Sequence, residues 1–489
     1  MNKLVVILIP FFMRTIIINV LGKEYLGLNN LFTSILNVLS LAELGVGQAM
    51  VYHMYRPIAD QNSSVINALL NMYKKIYRII GIVILVVGLL LLPFLQYLIA
   101  GDIEFINVKL IYVIFLIDTV FSYFLFAYKS SLLQAHQRAD IISNVNSICT
   151  LVLNGIQIVI LLIFKDYYCY IIMKPLFTLL NNVLINITTN KIYPEYKPFG
   201  KVTLEIKKEI YKKTGALLGH KIGQTVIAST DSLVISSFLG LGILAIYSNY
   251  YYIVFSVVSI TAILFNGMLA GIGNKLITCS IEENYKLFKN INFMISWLVT
   301  WCSTCLLCLI QPFMEFWMGS GMLLDYSSII LIIIYYYTWQ FRTTGLYFKD
   351  AAGMWNEDLL KPYVGAVLNL TANIILVKVI GINGIFISTI MSMVLVYFPW
   401  ETYVIFNKMF KKSCLRYLIL QIHFLCVTVL IWVVSYLLCQ LVVIDGFLGI
   451  IIKGIICVFV PNILFIVIHI RKKEEYGFLL DKARIIFKR

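Results

Sequence analysis

Ile79-Ile-Gly-Ile-Val-Ile-Leu-Val-Val-Gly-Leu-Leu-Leu-Leu-Pro-Phe-Leu-Gln-Tyr-Leu98 is a run of 20 residues without one charged side chain. As a helix it would be about 30 Å long, the thickness of the hydrocarbon core of a bilayer. Runs of this kind recur along nearly the whole 489-residue chain, at 4–21, 31–54, 79–98, 110–128, 141–164, 169–189, 215–239, 243–265, 291–311, 327–347, 362–381, 385–406, 417–438 and 449–470. The chain is 61% hydrophobic and only 13% charged, more apolar than a soluble domain of this size can bury. The expected fold is an all-α polytopic membrane protein with about 14 transmembrane helices.

The charge between these runs is one-sided. With the N-terminus inside, 30 of the 39 Lys and Arg fall in cytoplasmic segments, and only Lys23, Lys109 and Lys165 fall outside. This bias predicts a multi-pass protein with both termini in the cytoplasm. The net charge of +15 is then a topology signal and not a nucleic-acid surface. The longest cytoplasmic link, 190–214, has six spans before it and eight after it, and is the natural midpoint. Within it, Leu204-Glu-Ile-Lys-Lys-Glu-Ile-Tyr-Lys-Lys213 has Ile206 and Ile210 on one face and lysines on the other, as expected of a helix on the inner leaflet. The basic tail from Arg471, with Tyr476, Leu479, Leu480, Ala483 and Phe487 at helical spacing, reads the same way.

Two connections resemble one another. Leu21-Gly-Lys-Glu-Tyr-Leu-Gly-Leu-Asn-Asn30 joins the first two spans, and Leu239-Gly-Leu-Gly-Ile-Leu-Ala-Ile-Tyr-Ser-Asn249 joins the seventh and eighth. Six spans separate them, so the halves would repeat with the same topology, an arrangement that in many transporters encloses a central site.

Charged and polar residues inside the spans mark the expected site, because they are costly there. Arg14 lies near the middle of the first span; it either contacts an anion or pairs with Glu43 or Asp118, both also near mid-span. Asn30, Thr33, Asn37, Ser40 and Gln48 fall within about 40° of one helical line, lining a cavity or a helix interface. The seventh span sets Lys221, Gln224, Asp231 and Ser232 in one sector, with Gly215, Gly219 and Gly223 suited to close helix approach. Tyr335, Thr338, Trp339 and Arg342 share a face in the tenth span, either an aromatic platform for sugar and phosphate or an interfacial belt. The expected substrate-binding set is Arg14, Asn37, Lys221, Gln224, Tyr335, Trp339 and Arg342, with Glu43, Asp118 and Asp231 as ion-coupling or ion-pairing groups. Arg14, Lys221 and Arg342 together favour an anionic substrate. Lys174, Lys378 and Lys453 read as anchors near outer span ends, and Glu401 as interfacial near an inner one.

No phosphate-binding loop or nucleophile elbow is present, and the five His are scattered, so no enzyme and no cofactor is expected. Cys302, Cys305 and Cys308 have metal-like spacing but lie within an apolar helix without a fourth ligand. They read as small core residues, with no metal site.

The block from Arg14 to Phe32, with Leu39-Ser-Leu-Ala-Glu-Leu-Gly45, resembles the opening of bacterial oligosaccharide flippases (Wzx-like). Their superfamily also contains multidrug and toxic compound extrusion transporters and lipid II flippases. Tyr73–Gly81, Phe348–Trp355 and Lys378–Gly384 fit as well. The resemblance implies two six-helix lobes around a central cavity plus two C-terminal helices, divided as 1–198, 199–410 and 411–489. It implies alternating access in the plasma membrane and a substrate of undecaprenyl-pyrophosphate-linked sugar repeat units. Capsular, exopolysaccharide or O-antigen assembly follows, with membrane lipids, a polysaccharide polymerase and a chain-length regulator as partners. Two features depart from the family. The usual basic tail before the first span is missing, as expected of a truncated or misannotated start, and Glu357–Pro362 is less basic than its counterpart. Other expectations are an ion-coupled small-molecule exporter of the same fold, which needs an acidic cavity, and a membrane-embedded polymerase, which needs a large external loop.

Single cysteines introduced as Lys201→Cys and Lys482→Cys, in a cysteine-free background, are expected to resist an impermeant thiol reagent in intact cells. Labelling from outside at either position would contradict the fourteen-span topology.

Overall fold

A computed structural model describes residues 2–43, 46–101, 106–354, 356–472 and 474–478; the side chains of 2–7, 42, 48, 211–224, 228, 263–264, 266–267, 270 and 356 lie outside the description. The described residues form helices and connections, without a strand. The chain divides into two units, 1–245 and 246–489, each with its own packing.

The first unit contains α1 (Asn2–Val20), α2 (Lys23–Leu39), α3 (Val46–Ala59), α4 (Ser63–Leu91), α5 (Val108–Phe124), α6 (Ala127–Ala135), α7 (Ala139–Phe164), α8 (Tyr167–Ile192) and α9 (Leu204–Leu239). The long α10 (Leu241–Thr278) begins at its end. The second unit continues with α11 (Ile281–Met318), α12 (Tyr326–Gln340), α13 (Thr343–Ala351), α14 (Lys361–Ile380) and α15 (Ile382–Ser392). It closes with α16 (Phe398–Tyr403), α17 (Leu415–Gln440) and α18 (Gly446–Ile468). Two π-helical stretches, Met393–Tyr397 and Val404–Phe410, make α15 and α16 one apolar rod.

Among the described residues, nine helices are long and apolar enough to cross a membrane, and ten if α5 and α6, bent by 46°, count as one. The chain is thus a multi-pass membrane protein. The expected spans not among them are shorter or interrupted. Span 31–54 is broken by a 3-10 turn at Ser40–Glu43, and span 327–347 by a turn between α12 and α13 that holds Arg342. Each break sits where a charged side chain turns toward partners of its own unit. The amphipathic stretch 204–213 is not a separate interfacial helix. It continues into the seventh span as the 36-residue α9. For the tail, Tyr476 is described and packs on Phe293, whereas Leu479, Leu480, Ala483 and Phe487 lie outside the described residues.

Polar side chains start the helices. Asn62 accepts from the Val65 amide (3.2 Å), Asn107 from that of Leu110 (3.1 Å) and Asp166 from that of Cys169 (2.6 Å), meeting amides that a helix leaves unpaired. Ser280 and Glu283 form a reciprocal capping box for α11. Between helices, hydrogen bonds join apolar rods that gain little hydrophobic attraction in lipid. Asn369 on α14 donates to Thr389 on α15 at 3.0 Å, and Thr300 on α11 meets Thr428 on α17 at 2.7 Å. Ile148, Val152, Val159 and Ile163 on α7 are exposed, a stripe for lipid to cover.

The two similar connections adopt nearly the same backbone. Gly22 has φ 113°, ψ 164°, and Gly240 has φ 88°, ψ 172°, a region essentially restricted to glycine. They also lie close together: a Cβ at Gly242 would meet the Lys23 side chain at 3.1 Å, and one at Gly27 would clash with the Leu241 carbonyl. Gly22→Ala and Gly240→Ala are each expected to lower stability by about 1–3 kcal/mol. Gly155→Ala, inside α7 with open space around it, is expected to raise stability by up to about 1 kcal/mol. Thermal unfolding in detergent, followed by intrinsic fluorescence, reads both signs.

Candidate functional site

The break after α2 aims Glu43 into the first unit. Tyr73 and Tyr77, one turn apart on α4, and Tyr123 on α5 surround it. Tyr77 donates to Oε1 at 2.5 Å, Tyr123 donates to Oε2 at 2.8 Å, and Tyr73 donates to the Tyr77 oxygen at 2.7 Å. Both carboxylate oxygens are thus satisfied by neutral hydroxyls. These groups line a pocket of about 550 Å³ whose polar walls also include Ser122, Ser131, Asn146, Asn181 and Asn182.

A second pocket of about 390 Å³ shares Glu43, Ser122 and Tyr123 with the first and adds Asp118, Lys174 and Thr178. Thr178 donates to Asp118 at 2.5 Å. Lys174 lies 4.2 Å from the centre of the Phe115 ring and donates to Asn29 Oδ1 at 3.4 Å, an oxygen that also accepts from Tyr167 at 3.1 Å. Its place in the pocket corrects the expectation of an outer anchor. Asp118 is on α5 and Lys174 on α8, which pack side by side, so no sequence spacing links them.

Of the stripe on the second span, Thr33, Asn37 and Ser40 line the smaller pocket, and Asn30 donates to the Leu26 carbonyl of its own helix at 2.7 Å. Gln48 lies beyond the break and its side chain is outside the described residues, as are Lys221 and Gln224. Arg14 is half-buried on α1, which packs on α2 and α7. Asp231 is buried on α9; nearby, Ser236 ties that helix to the Leu98 carbonyl at 2.6 Å. The described charged walls of the two pockets are two carboxylates and one lysine.

The second unit uses its charges differently. Arg342 makes a forked pair with Glu401, Nη2 to Oε1 at 2.7 Å and Nε to Oε2 at 3.0 Å. Lys361 donates to the same Oε1 at 2.9 Å and also pairs with Asp358, to which Lys349 donates at 2.6 Å. Tyr397 lies under Arg342 at 5.0 Å. All five charges are buried: Glu401, read from sequence as interfacial, is 2% exposed and Arg342 is 8%. The guanidinium fork of Arg342 is thus engaged within the protein. Tyr335 and Trp339 lie one turn apart on α12, half-buried, with ring centres 5.7 Å apart at 39°.

A scan against protein-family profiles and a search of curated proteins return no match. Solved structures do match. The lipid II flippase MurJ in an inward closed conformation aligns over 96% of this chain and 98% of its own, with TM-score 0.70 and 14% identity. An inward-facing multidrug resistance MATE family transporter of the MOP superfamily aligns over 82% and 94%, with TM-score 0.60 and 14% identity. The Vibrio cholerae MATE transporter VcmN aligns over 83% and 95%, with TM-score 0.54 and 14% identity. The chain has the fold of these transporters.

The buried network makes a direct prediction. Glu401→Gln leaves Arg342 and Lys361 buried without their shared carboxylate and is expected to cost about 3–5 kcal/mol. Arg342→Met leaves Glu401 paired to Lys361 and should cost less. Thermal melts in detergent rank the two; an unchanged melt for Glu401→Gln would show that these charges contribute little to the fold.

Proposed function

We propose that this chain is a flippase of the oligosaccharide-exporting (Wzx-like) kind. It moves undecaprenyl-pyrophosphate-linked repeat units across the bacterial plasma membrane by alternating access, for capsular, exopolysaccharide or O-antigen assembly. The observation that carries this reading is the fold shared with MurJ along nearly the full length of both chains. The first-unit pockets support it, because hydroxyl and amide groups such as Ser131, Asn146, Asn181 and Asn182 match the hydrogen-bonding surface of a sugar.

In this reading the lobes are helices 1–6 and 7–12, at 1–198 and 199–410, with 411–489 appended. The lipid tail stays in the bilayer while the headgroup crosses through the protein. Arg14, half-buried on α1, meets the pyrophosphate, and its guanidinium suits bidentate contact. Lys174 adds a second cation at the pocket wall. With the cytoplasm negative, outward movement of the anionic headgroup is favoured by ~2.3 kcal/mol per charge per 100 mV. The polymerase and chain-length regulator of the same assembly line are the protein partners.

A second reading, an ion-coupled small-molecule exporter of this fold, is favoured by one observation: Glu43 and Asp118 both face the pockets. Carboxylates held by neutral donors suit proton or cation exchange.

Reconstitution in liposomes separates the two. A fluorescent undecaprenyl-pyrophosphate oligosaccharide should become accessible across the bilayer with the wild-type protein. Arg14→Ala should slow it by about tenfold or more and Arg14→Lys by less, since the charge survives without the fork. Transport of an organic cation coupled to an ion gradient, with no flipping of the lipid-linked sugar, would instead support the exporter.

A further inference from the structure

In the second unit, α11, α17 and α18 are held together by polar bonds along their length. Trp297 donates to Asn462 at 2.7 Å, Trp301 donates to the Cys457 carbonyl at 3.0 Å, and Trp432 donates to Ser303 at 2.9 Å. Toward the α17–α18 connection these helices frame a pocket of about 470 Å³. Gln311, Glu315, Asp445 and Lys453 line it, and Cys308 and Cys439 stand in its wall. Cys457 packs against both and is fully buried. The charge bias between spans assigns this end of the helices to the outside.

The three thiols come from three helices and converge. Their sulfur atoms all lie within 4.8 Å of one another, with Cys439 and Cys457 at 3.9 Å. A metal bound to sulfur at ~2.3 Å in a trigonal plane sets its sulfurs about 4 Å apart. The cluster therefore needs a contraction of under about 1 Å to hold an ion. Aliphatic side chains would fill the same space without directing three soft donors at one point. Of the Cys302–Cys308 run, Cys308 brings its sulfur among the three that converge, and Cys305 packs against them with its Sγ 3.8 Å from the Cys457 carbonyl.

We propose that Cys308, Cys439 and Cys457 form a binding site for a soft, thiophilic metal ion of the copper(I) class, entered through the pocket beside them. Thiolates select such ions, and three-coordinate sulfur suits a monovalent ion, whereas structural zinc takes four ligands. Glu315 and Asp445 draw a cation toward the pocket. Binding as a two-thiolate complex releases two protons to the pocket water, with the third sulfur completing the plane as a thiol. The complex then carries one negative charge, which Lys453 in the pocket wall offsets. No change of oxidation state is involved.

The test uses the full-length protein in detergent, reduced and then kept anaerobic. It is titrated with copper(I) buffered by a chromogenic copper(I) chelator. One equivalent should pass from chelator to protein, and Cys308→Ser, Cys439→Ser and Cys457→Ser should each weaken binding by about tenfold or more. Cys169→Ser and Cys426→Ser, at exposed positions outside the cluster, should leave it unchanged. X-ray absorption of the loaded wild-type protein should show sulfur alone around copper, a readout independent of whether any variant folds. Undiminished affinity in a Cys308→Ser/Cys439→Ser double variant, nitrogen or oxygen around the metal, or preferential loading of zinc over copper(I) would each overturn the assignment.

Discussion

A backbone amide inside a bilayer has no water to bond, and leaving it unmet costs several kcal/mol. That constraint makes every apolar run of this chain a helix. The turn at Ser40–Glu43 and the turn at Arg342 occur where charged side chains reach partners within their own unit. Elsewhere, polar side chains at helix starts take up the amides that a helix leaves over, as Asn62, Asn107, Asp166 and Ser280 do.

The same constraint divides the charges into two kinds. In the second unit, Arg342, Glu401, Lys361, Asp358 and Lys349 satisfy one another out of reach of solvent. Such a network holds α12, α13, α14 and α16 in one arrangement, and a ligand would have to break an ion pair to use any member. In the first unit, Glu43 and Asp118 are held by tyrosine and threonine hydroxyls and face open volume. A carboxylate held by neutral donors keeps its charge available to a proton, a cation or a polar headgroup. The asymmetry sets Arg342, a cation that stands out in the sequence, among the paired charges, and leaves Glu43 and Asp118 facing open volume.

Arg342 shows why. Its deep position marks it as functional or paired, since an unpaired guanidinium in hydrocarbon is too costly to persist. Nothing at 342 reveals that Glu401, 59 residues away, supplies the partner. Lys174 misleads in the opposite direction: an end-of-span lysine reads as a snorkelling anchor until α5 brings Phe115 and Asp118 beside it. The cysteines follow the same rule, because Cys302, Cys305 and Cys308 catch the eye together while Cys308 meets Cys439 and Cys457 from other helices.

The sequence by itself determined the helical class, the positions of most spans, the one-sided placement of charge and the pair of glycine-bearing connections. These are local properties: hydrophobic run length, loop composition, and a backbone conformation that only glycine tolerates. The polar stripe of Thr33, Asn37 and Ser40 was also legible, because a helix face is a matter of spacing along one segment. Only the tertiary structure decided which charges are spent and which remain available, where spans break, and which thiols converge. Those outcomes depend on side chains tens to more than a hundred residues apart meeting across packed helices, and no periodicity within a single helix encodes its neighbour.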